Sequence, residues 1–256
     1  MGYLFDKDAA SLEWNFTPLA EPFFHKGNEV GCLVLHGFTG TPANMLSIGQ
    51  ELAGHGCTVY LPRLSGHGTT LGDMNTKNAG LWLDDALRAY DRLVQEGCTK
   101  IVLVGLSMGA LLMALVASKR KCDGLVMMSA PLYMRNYLLF AHFISPLVPY
   151  ILTSKELKTD EAGQGYMGMP TRRIGDIKKL AKQVKRILPE ITVPTMVMAP
   201  ANDGRVKEKS PAAIYGGLKK AERKSLVYME NSPHGIPYGC EKERAAEIIG
   251  EFVGSL

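Results

Sequence analysis

Six short apolar runs separated by segments of helical periodicity constrain the fold of this 256-residue chain more than any other feature. The runs predict strands at 30–35, 58–61, 100–104, 124–128, 195–199 and 225–229, and the segments between them predict helices at about 43–54, 79–96, 108–118, 207–219 and 240–254. This alternation is typical of β-α-β units and a mostly parallel sheet flanked by helices. With 46% hydrophobic residues, the chain can fill the core of a single α/β domain spanning 1–256.

One interval is too long for a simple crossover between parallel strands. Residues 131–189 separate two predicted strands, whereas a crossover with its helix needs only about 10 to 12 residues at minimum. The first half of this interval is rich in large apolar side chains, and the second half, DIKKLAKQVKRIL, is basic and helix-prone. We expect a small inserted cap over the carboxyl ends of the strands, where open parallel sheets bind ligands. Its apolar side chains can line a pocket or pack the cap's own core.

The stretch IVLVGLSMGALL places Ser107 where a buried strand passes into an apolar helix. Within it, GLSMG at 105–109 matches G-x-S-x-G, the nucleophile elbow, in which a tight turn exposes the serine at the strand end. The motif alone is weak because the chain has 27 glycines, but the flanking strand and helix are the context that it requires. The alternative role for Ser107 is that of a small residue at a tight turn.

A serine hydroxyl needs a base within hydrogen-bond reach and a third group that orients the base. Among six histidines, His36, His55 and His67 precede the serine, whereas His234 lies a few residues past the last predicted strand, in SLVYMENSPHG. That position favours His234 as the base. His25 and His142 are the remaining histidines.

The orienting acid is expected after the next-to-last strand, where TMVMAPANDGRV contains Asp203. Its carboxylate could accept a hydrogen bond from the His234 ring. N-D-G is also a strong turn sequence, so an Asx turn is the alternative role. Three other aspartates compete poorly because Asp123 precedes a strand and Asp160 and Asp176 lie in the predicted cap. The order serine, aspartate, histidine is that of α/β-hydrolases.

Two backbone N–H groups should stabilise the oxyanion that forms when an ester carbonyl is attacked. One is that of Met108, directly after the nucleophile, and the other is that of Phe38 in the loop LHGFTG. The sequence has no H-E-x-x-H, no paired Cys/His metal spacing and no phosphate-binding P-loop motif. We therefore expect no metal and no cofactor.

Composition and charge argue against several other classes of protein. The formal net charge is +4 and no block of like charges suggests a nucleic-acid arm. Five cysteines without C-x-x-C spacing suit buried thiols in a reducing compartment, which favours a cytoplasmic protein. The amino terminus MGYLFDKDAA lacks the features of a secretory signal, and the apolar tract 137–152 is too short and too interrupted by proline to span a bilayer, so no stable membrane insertion is expected.

The chain resembles the small bacterial carboxylesterases and monoacylglycerol lipases of the α/β-hydrolase superfamily. The stretches that carry the resemblance are PFFHKGNEVGCLVLHGFTGTP (22–42), SGHG (65–68), KIVLVGLSMGA (100–110), VPTMVMAPANDGRV (193–206) and VYMENSPHGI (227–236). The resemblance implies a triad of Ser107, Asp203 and His234, an oxyanion hole at Phe38 and Met108, and a cap that forms an acyl-chain tunnel. The chain departs from the family pattern at Ala110, at 199–200 and at 204–205, where the family often has glycine, Gln-Gly and an apolar residue, respectively.

These observations predict a serine carboxylic-ester hydrolase that forms an acyl-enzyme on Ser107 and acts on small-molecule esters with an apolar acyl chain. Two alternatives stay open: a feruloyl or cinnamoyl-type aryl esterase, and a non-catalytic binding or sensor protein with the same fold. As partners we expect the ester substrate, no nucleic acid, and a monomer or homodimer.

Overall fold

The computed structural model of the protein describes residues 4–5, 7–154 and 164–256. Its strands are β1 (Leu4–Phe5), β2 (Phe23–His25), β3 (Val30–Leu35), β4 (Thr58–Leu61), β5 (Lys100–Leu106), β6 (Gly124–Met128), β7 (Tyr150–Leu152), β8 (Gly168–Pro170), β9 (Thr195–Pro200) and β10 (Lys224–Met229). Its α-helices are α1 (Leu46–Gly54), α2 (Leu71–Thr76), α3 (Ala79–Gln95), α4 (Met108–Ala117), α5 (Asn136–Phe143), α6 (Ile174–Ile187), α7 (Lys209–Gly217) and α8 (Lys242–Gly254).

A seven-stranded sheet with the order β10-β9-β6-β5-β3-β4-β2 forms the centre of the fold. Every neighbouring pair is parallel except β2 and β4, which are antiparallel. The central strands are buried on both faces: all residues of β6 and all but the first of β5 are buried. Such strands read as continuous apolar runs in the sequence. The predicted α/β fold with a mostly parallel central sheet is confirmed.

The strand order reverses at β3, which has β4 on one side and β5 on the other. Chain connections therefore leave the carboxyl ends of β3 and β5 in opposite directions, and a crevice opens between them. The HGFTG loop follows β3, and Ser107 follows β5. The topology places both segments at the same crevice.

Helices cover both faces of the sheet. On one face α1 packs against α8, and on the other α4 packs between α3 and α6. The predicted cap at 131–189 thus contains α6, which belongs to the helical layer over the sheet. The apolar tract at 137–152 divides between α5 and β7.

The part of the predicted cap that precedes α6 contributes to a second, smaller sheet. In it β7 pairs antiparallel with both β1 and β8. Residues 155–163 of the predicted cap, including Asp160, lie outside the described residues, as do residues 1–3 and 6 of the amino terminus. Within the described ranges, the helices are all too short or too polar to cross a bilayer.

Candidate active site

Ser107 lies in the sharp turn between β5 and α4, with φ 55° and ψ −115°. A non-glycine residue with positive φ is strained, and such strain is typical of functional sites. Two glycines make the turn possible, since a Cβ on Gly105 would come within 2.5 Å of the backbone of Gly109, and one on Gly109 within 2.5 Å of the His36 carbonyl oxygen. A backbone hydrogen bond of 2.8 Å from the amide of Ser107 to the Met128 carbonyl oxygen holds the turn against β6.

His234 bridges Ser107 and Asp203. Its Nε2 lies 3.0 Å from the Ser107 Oγ, and its Nδ1 lies 2.7 Å from the Asp203 Oδ2. Because an ionised carboxylate only accepts hydrogen bonds, Nδ1 carries the proton and Nε2 is left to accept the serine proton. The side chains of His234 and Asp203 are 11% and 7% exposed, so water competes little for these bonds.

Asp203 is held by the backbone of its own loop. Its Oδ1 accepts hydrogen bonds from the amides of Arg205, at 2.7 Å, and Val206, at 2.9 Å. The Asx turn that N-D-G predicts is therefore present, made by the oxygen that does not face His234. Burial raises the pKa of the Asp203 carboxyl, but the hydrogen bond and charge of His234 together with the two amides outweigh burial, and the pKa lies below its ordinary value.

The loop after β3 brings a second backbone segment to the serine. A Cβ on Gly37 would lie 3.3 Å from the Ser107 Cβ, so the two loops are in direct contact. In the part of the chain that the structure describes, the amides of Phe38 and Met108 donate no hydrogen bond. These are the two groups that the sequence predicts as oxyanion donors, and unused donors beside the nucleophile can perform that role.

His36 has a structural position beneath the serine turn. Its Nδ1 lies 2.9 Å from the Gly37 carbonyl oxygen, and its Nε2 accepts a hydrogen bond of 3.2 Å from the amide of Leu64. Burial lowers the pKa of His36 to about 4, so the ring stays neutral and keeps both bonds at physiological pH. His36 therefore fixes the HGFTG loop and does not contact the Ser107 hydroxyl.

The other candidates that the sequence offered lie away from the serine or serve other contacts. The carboxylate of Asp123 accepts a hydrogen bond of 2.8 Å from the amide of Ile101, and that of Asp176 pairs with Arg173 at 3.0 Å. His55 pairs with Glu51 at 3.0 Å on the surface of α1. Among the residues that the structure describes, no group of three or more His, Cys, Asp or Glu side chains could hold a metal ion.

Ser129 is a residue of the site that sequence reasoning missed. It follows β6, is buried, and has a positive φ of 47°. Its Oγ donates a hydrogen bond of 2.8 Å to the backbone carbonyl oxygen of His234, and its amide donates one of 2.8 Å to the Met198 carbonyl oxygen. Ser129 thus connects the end of β6 to the loop that carries the base. The only sequence signal for it is a serine directly after a buried strand.

Ser107 and His234 open into a narrow apolar cavity of about 40 Å³. The predicted cap, including the start of α6, supplies most of its lining, and the loops after β3 and β9 supply Phe38, Arg205 and Val206. The apolar lining residues are Phe38, Pro131, Met134, Leu138, Met169, Ile174, Ile177 and Val206. A larger cavity of about 1040 Å³ lies along α6 and shares only Met134 with the narrow one. The larger cavity does not contain Ser107, so the narrow one is where chemistry can occur.

Comparisons with known proteins agree with this geometry. The model of the family described as Serine aminopeptidase, S33, matches residues 28–241. The chain is 32% identical over 242 residues to a thermostable monoacylglycerol lipase of Bacillus sp. (strain H-257), covering 92% of this chain and 96% of that protein. It is 24% identical over 242 residues to a carboxylesterase of Bacillus subtilis (strain 168), covering 92% of this chain and 97% of that protein.

The same fold is found among solved structures. A structure of the metagenome-derived lipolytic enzymes LipS and LipT has a chain that superimposes with a TM-score of 0.85 at 27% sequence identity. The match covers 94% of this chain and all of that chain. The predicted α/β-hydrolase fold is thereby confirmed.

Proposed function

We propose that Ser107, His234 and Asp203 form the catalytic triad of this chain. The chain belongs to the serine aminopeptidase S33 family of hydrolases and is an ester-hydrolysing enzyme. The single observation that carries this assignment is the position of His234, whose two ring nitrogens lie 3.0 Å from the Ser107 hydroxyl and 2.7 Å from the Asp203 carboxylate. The residues come from three loops that follow β5, β9 and β10, and these parallel strands end at the same edge of the sheet.

The geometry supports a two-step hydrolysis. The Ser107 Oγ attacks the ester carbonyl while His234 Nε2 takes its proton, and the same nitrogen then donates that proton to the departing alcohol. Water repeats the sequence on the acyl-enzyme and releases the carboxylic acid. The negative charge that develops on the carbonyl oxygen in both steps is stabilised by the amides of Phe38 and Met108.

We propose that the acyl group enters the narrow apolar cavity beneath the predicted cap, the insertion at about 131–189. The cavity has a volume of about 40 Å³ and is lined mainly by apolar side chains. Short and medium acyl esters, including monoacylglycerols, are the substrates that this arrangement favours.

A fluorophosphonate probe tests the nucleophile directly, because it adds mass to an activated serine. We expect the label on the tryptic peptide that contains Ser107, and no label in the Ser107→Ala variant. Ser118→Ala is the matched control, since Ser118 lies at the far end of α4 and its hydroxyl donates to the Leu115 carbonyl oxygen. A folded wild-type protein that stays unlabelled would contradict the assignment.

Turnover of p-nitrophenyl esters tests the base and the substrate class together. Ser107→Ala and His234→Ala should each remove most of the activity, and the double variant should be little worse than either, because the residues act as one unit. A series of acyl lengths, with monoacylglycerols and a feruloyl ester as further substrates, separates alkyl from aryl specificity. A preference for the feruloyl ester would favour the aryl esterase instead.

We also propose a reducing, cytoplasmic location and an assembly no larger than a homodimer, acting without nucleic acid. Support for the location comes from five free cysteines, four of which are buried. Cell fractionation tests the location, and gel filtration tests the size of the assembly.

A further inference from the structure

Arg205 is an exposed cation at the cavity of the nucleophile. It lines the same narrow cavity as Ser107 and His234. Its amide donates to the Asp203 Oδ1 and its carbonyl oxygen accepts from the amide of Arg135. Its guanidinium has no hydrogen-bond or ion-pair partner among the residues that the structure describes.

The neighbouring charges are already engaged. The carboxylate of Asp203 faces His234, and the guanidinium of Arg135 donates to the Asp203 carbonyl oxygen, at 2.9 Å, and to Glu208. An arginine on an open surface often has only water as its partner, so exposure by itself indicates nothing. The informative fact is that Arg205 lines the cavity of Ser107 and His234 while its five donors have no partner among the described residues.

Arg205 belongs to the loop that holds the base. Its amide donates to Oδ1 of Asp203, and Oδ2 of the same carboxylate lies 2.7 Å from His234 Nδ1. Burial raises the pKa of Tyr238, and the positive charge of Arg205 opposes that effect. The Tyr238 ring packs directly against Gly235, which follows His234. The alcohol must leave from His234, because that residue protonates it, whereas the apolar wall formed by Leu138, Met169 and Ile177 suits the acyl group.

The larger cavity along α6 extends the positive charge away from the serine. It shares the lining residue Met134 with the narrow cavity and is also lined by Lys207, two residues past Arg205. Basic side chains of α6, including Lys178, Lys182 and Lys185, also line it. The one carboxylate in its described lining, Asp176, is paired with two basic side chains. A concave surface of one charge sign raises the local concentration of ligands of the opposite sign.

We propose that Arg205 is a specificity-determining residue that binds an anionic group, a carboxylate or a phosphate, on the alcohol portion of the ester substrate. This inference rests on the proposed function, because it concerns the alcohol that His234 protonates. A guanidinium can donate two parallel hydrogen bonds to either anion, and charge-assisted bonds of this kind are stronger than neutral ones.

Matched substrate pairs test the proposal. The carboxylate arm compares 3-carboxy-4-nitrophenyl butyrate with p-nitrophenyl butyrate, and the phosphate arm compares a 1-acylglycerol 3-phosphate with the 1-acylglycerol of the same chain. We expect the ratio of kcat/KM, anionic over neutral, to fall about tenfold in Arg205→Gln and further in Arg205→Glu. Rising salt should also lower the wild-type ratio of kcat/KM, anionic over neutral, because salt screens the exposed charge of Arg205. Arg120→Gln is the control, because Arg120 pairs with Asp91 beyond the far end of α4, and its ratio should equal that of the wild type.

The outcomes separate this inference from the proposed function. If the wild type hydrolyses the neutral esters and Arg205→Gln leaves both ratios unchanged, the anion site is wrong and the triad stands. A fall in one arm only assigns the site to that anion. If neither member of any pair is hydrolysed by the wild type, the proposed function fails and the anion site fails with it.

Discussion

An asparagine at position 203 cannot keep all the hydrogen bonds that the Asp203 carboxylate accepts. In the wild type, Oδ2 accepts from His234 Nδ1 at 2.7 Å, and Oδ1 accepts from the amides of Arg205 and Val206. Asparagine has one acceptor oxygen and one donor NH₂ group. If the oxygen stays on the two amides, the NH₂ faces His234 and forces the proton onto Nε2. If the oxygen faces His234, the NH₂ meets two N–H donors.

The two orientations have different measurable consequences. The first removes the base, because a protonated Nε2 cannot accept from Ser107, and the same substitution in serine protease triads lowers kcat by about 10⁴. The second keeps the tautomer but leaves buried donors unpaired, which costs about 1 to 3 kcal/mol for each. Since the second orientation leaves two amides unpaired, we expect the first to prevail.

The assay measures kcat on p-nitrophenyl butyrate and the free energy of unfolding in urea for the same preparations. We expect Asp203→Asn to lower kcat by about 10³ to 10⁴ and to retain the fold. Asp91→Asn is the matched control: Asp91 pairs with Arg120 on the exposed surface, where an ion pair contributes about 0 to 1 kcal/mol, and kcat should be unchanged. An Asp203→Asn enzyme within threefold of wild-type kcat would refute the reasoning and remove Asp203 from the triad.

The pH dependence of stability provides a second check on Asp203. Its pKa lies below the unfolded value of about 3.9. A depressed carboxyl pKa contributes stability that is fully present above the unfolded pKa and is lost as pH falls through the folded pKa. The difference in unfolding free energy between wild type and Asp203→Asn should therefore be constant from pH 5 upward and shrink below about pH 4. A difference that grows on acidification contradicts the assigned direction.

Three further substitutions probe the frame around the triad. Gly109→Ala places a Cβ 2.5 Å from backbone oxygens at the end of β3 and should lower the free energy of unfolding in urea by about 1 to 3 kcal/mol. Gly54→Ala is the control, because its Cβ meets nothing within 4 Å and should change that free energy by less than about 1 kcal/mol. Ser129→Ala removes the bond to the His234 carbonyl oxygen and should lower kcat about fivefold to tenfold with KM unchanged; an unaltered kcat would exclude a positioning role. Leu138→Ala enlarges the narrow cavity and should move the optimum of a p-nitrophenyl ester series to longer acyl chains; an unchanged optimum would show that this cavity does not hold the acyl group.

The central sheet could be predicted because its strands are buried on both faces and appear as apolar runs in the sequence. The predicted strand at 100–104 extends to Leu106 in the structure, and the one at 225–229 begins at Lys224. β2 was not predicted, since Phe23–His25 is a three-residue edge strand whose only partner is β4. The sheet of β1, β7 and β8 was also missed, because strands of two or three residues have no period to detect and depend on pairing between distant segments.

The three proposed triad residues could be predicted from chain order, because each lies a few residues or less past the end of a predicted strand. Arg205 stood out in the sequence only as part of the departure from the family pattern at 204–205, and Ser129 only as a serine directly after a buried strand. Arg205 is of interest because its guanidinium has no partner among the described residues. Ser129 is of interest because its hydroxyl donates a hydrogen bond to a residue 105 positions away. Neither property is local in sequence, so a structure was needed to identify them.

Backbone strain in this protein is concentrated where the chemistry is proposed. Within the described ranges, the non-glycine residues with positive φ are Thr39, Ser107 and Ser129. They lie in the loops after β3, β5 and β6, which are three adjacent strands. A residue held in such a conformation costs about 1 to 3 kcal/mol and persists only where its surroundings fix it. Here the neighbouring strand does so: the amide of Ser107 bonds the last residue of β6, and that of Ser129 bonds a residue of β9. The order of the sheet therefore brings the reacting loops together and also holds two of them in their strained conformations.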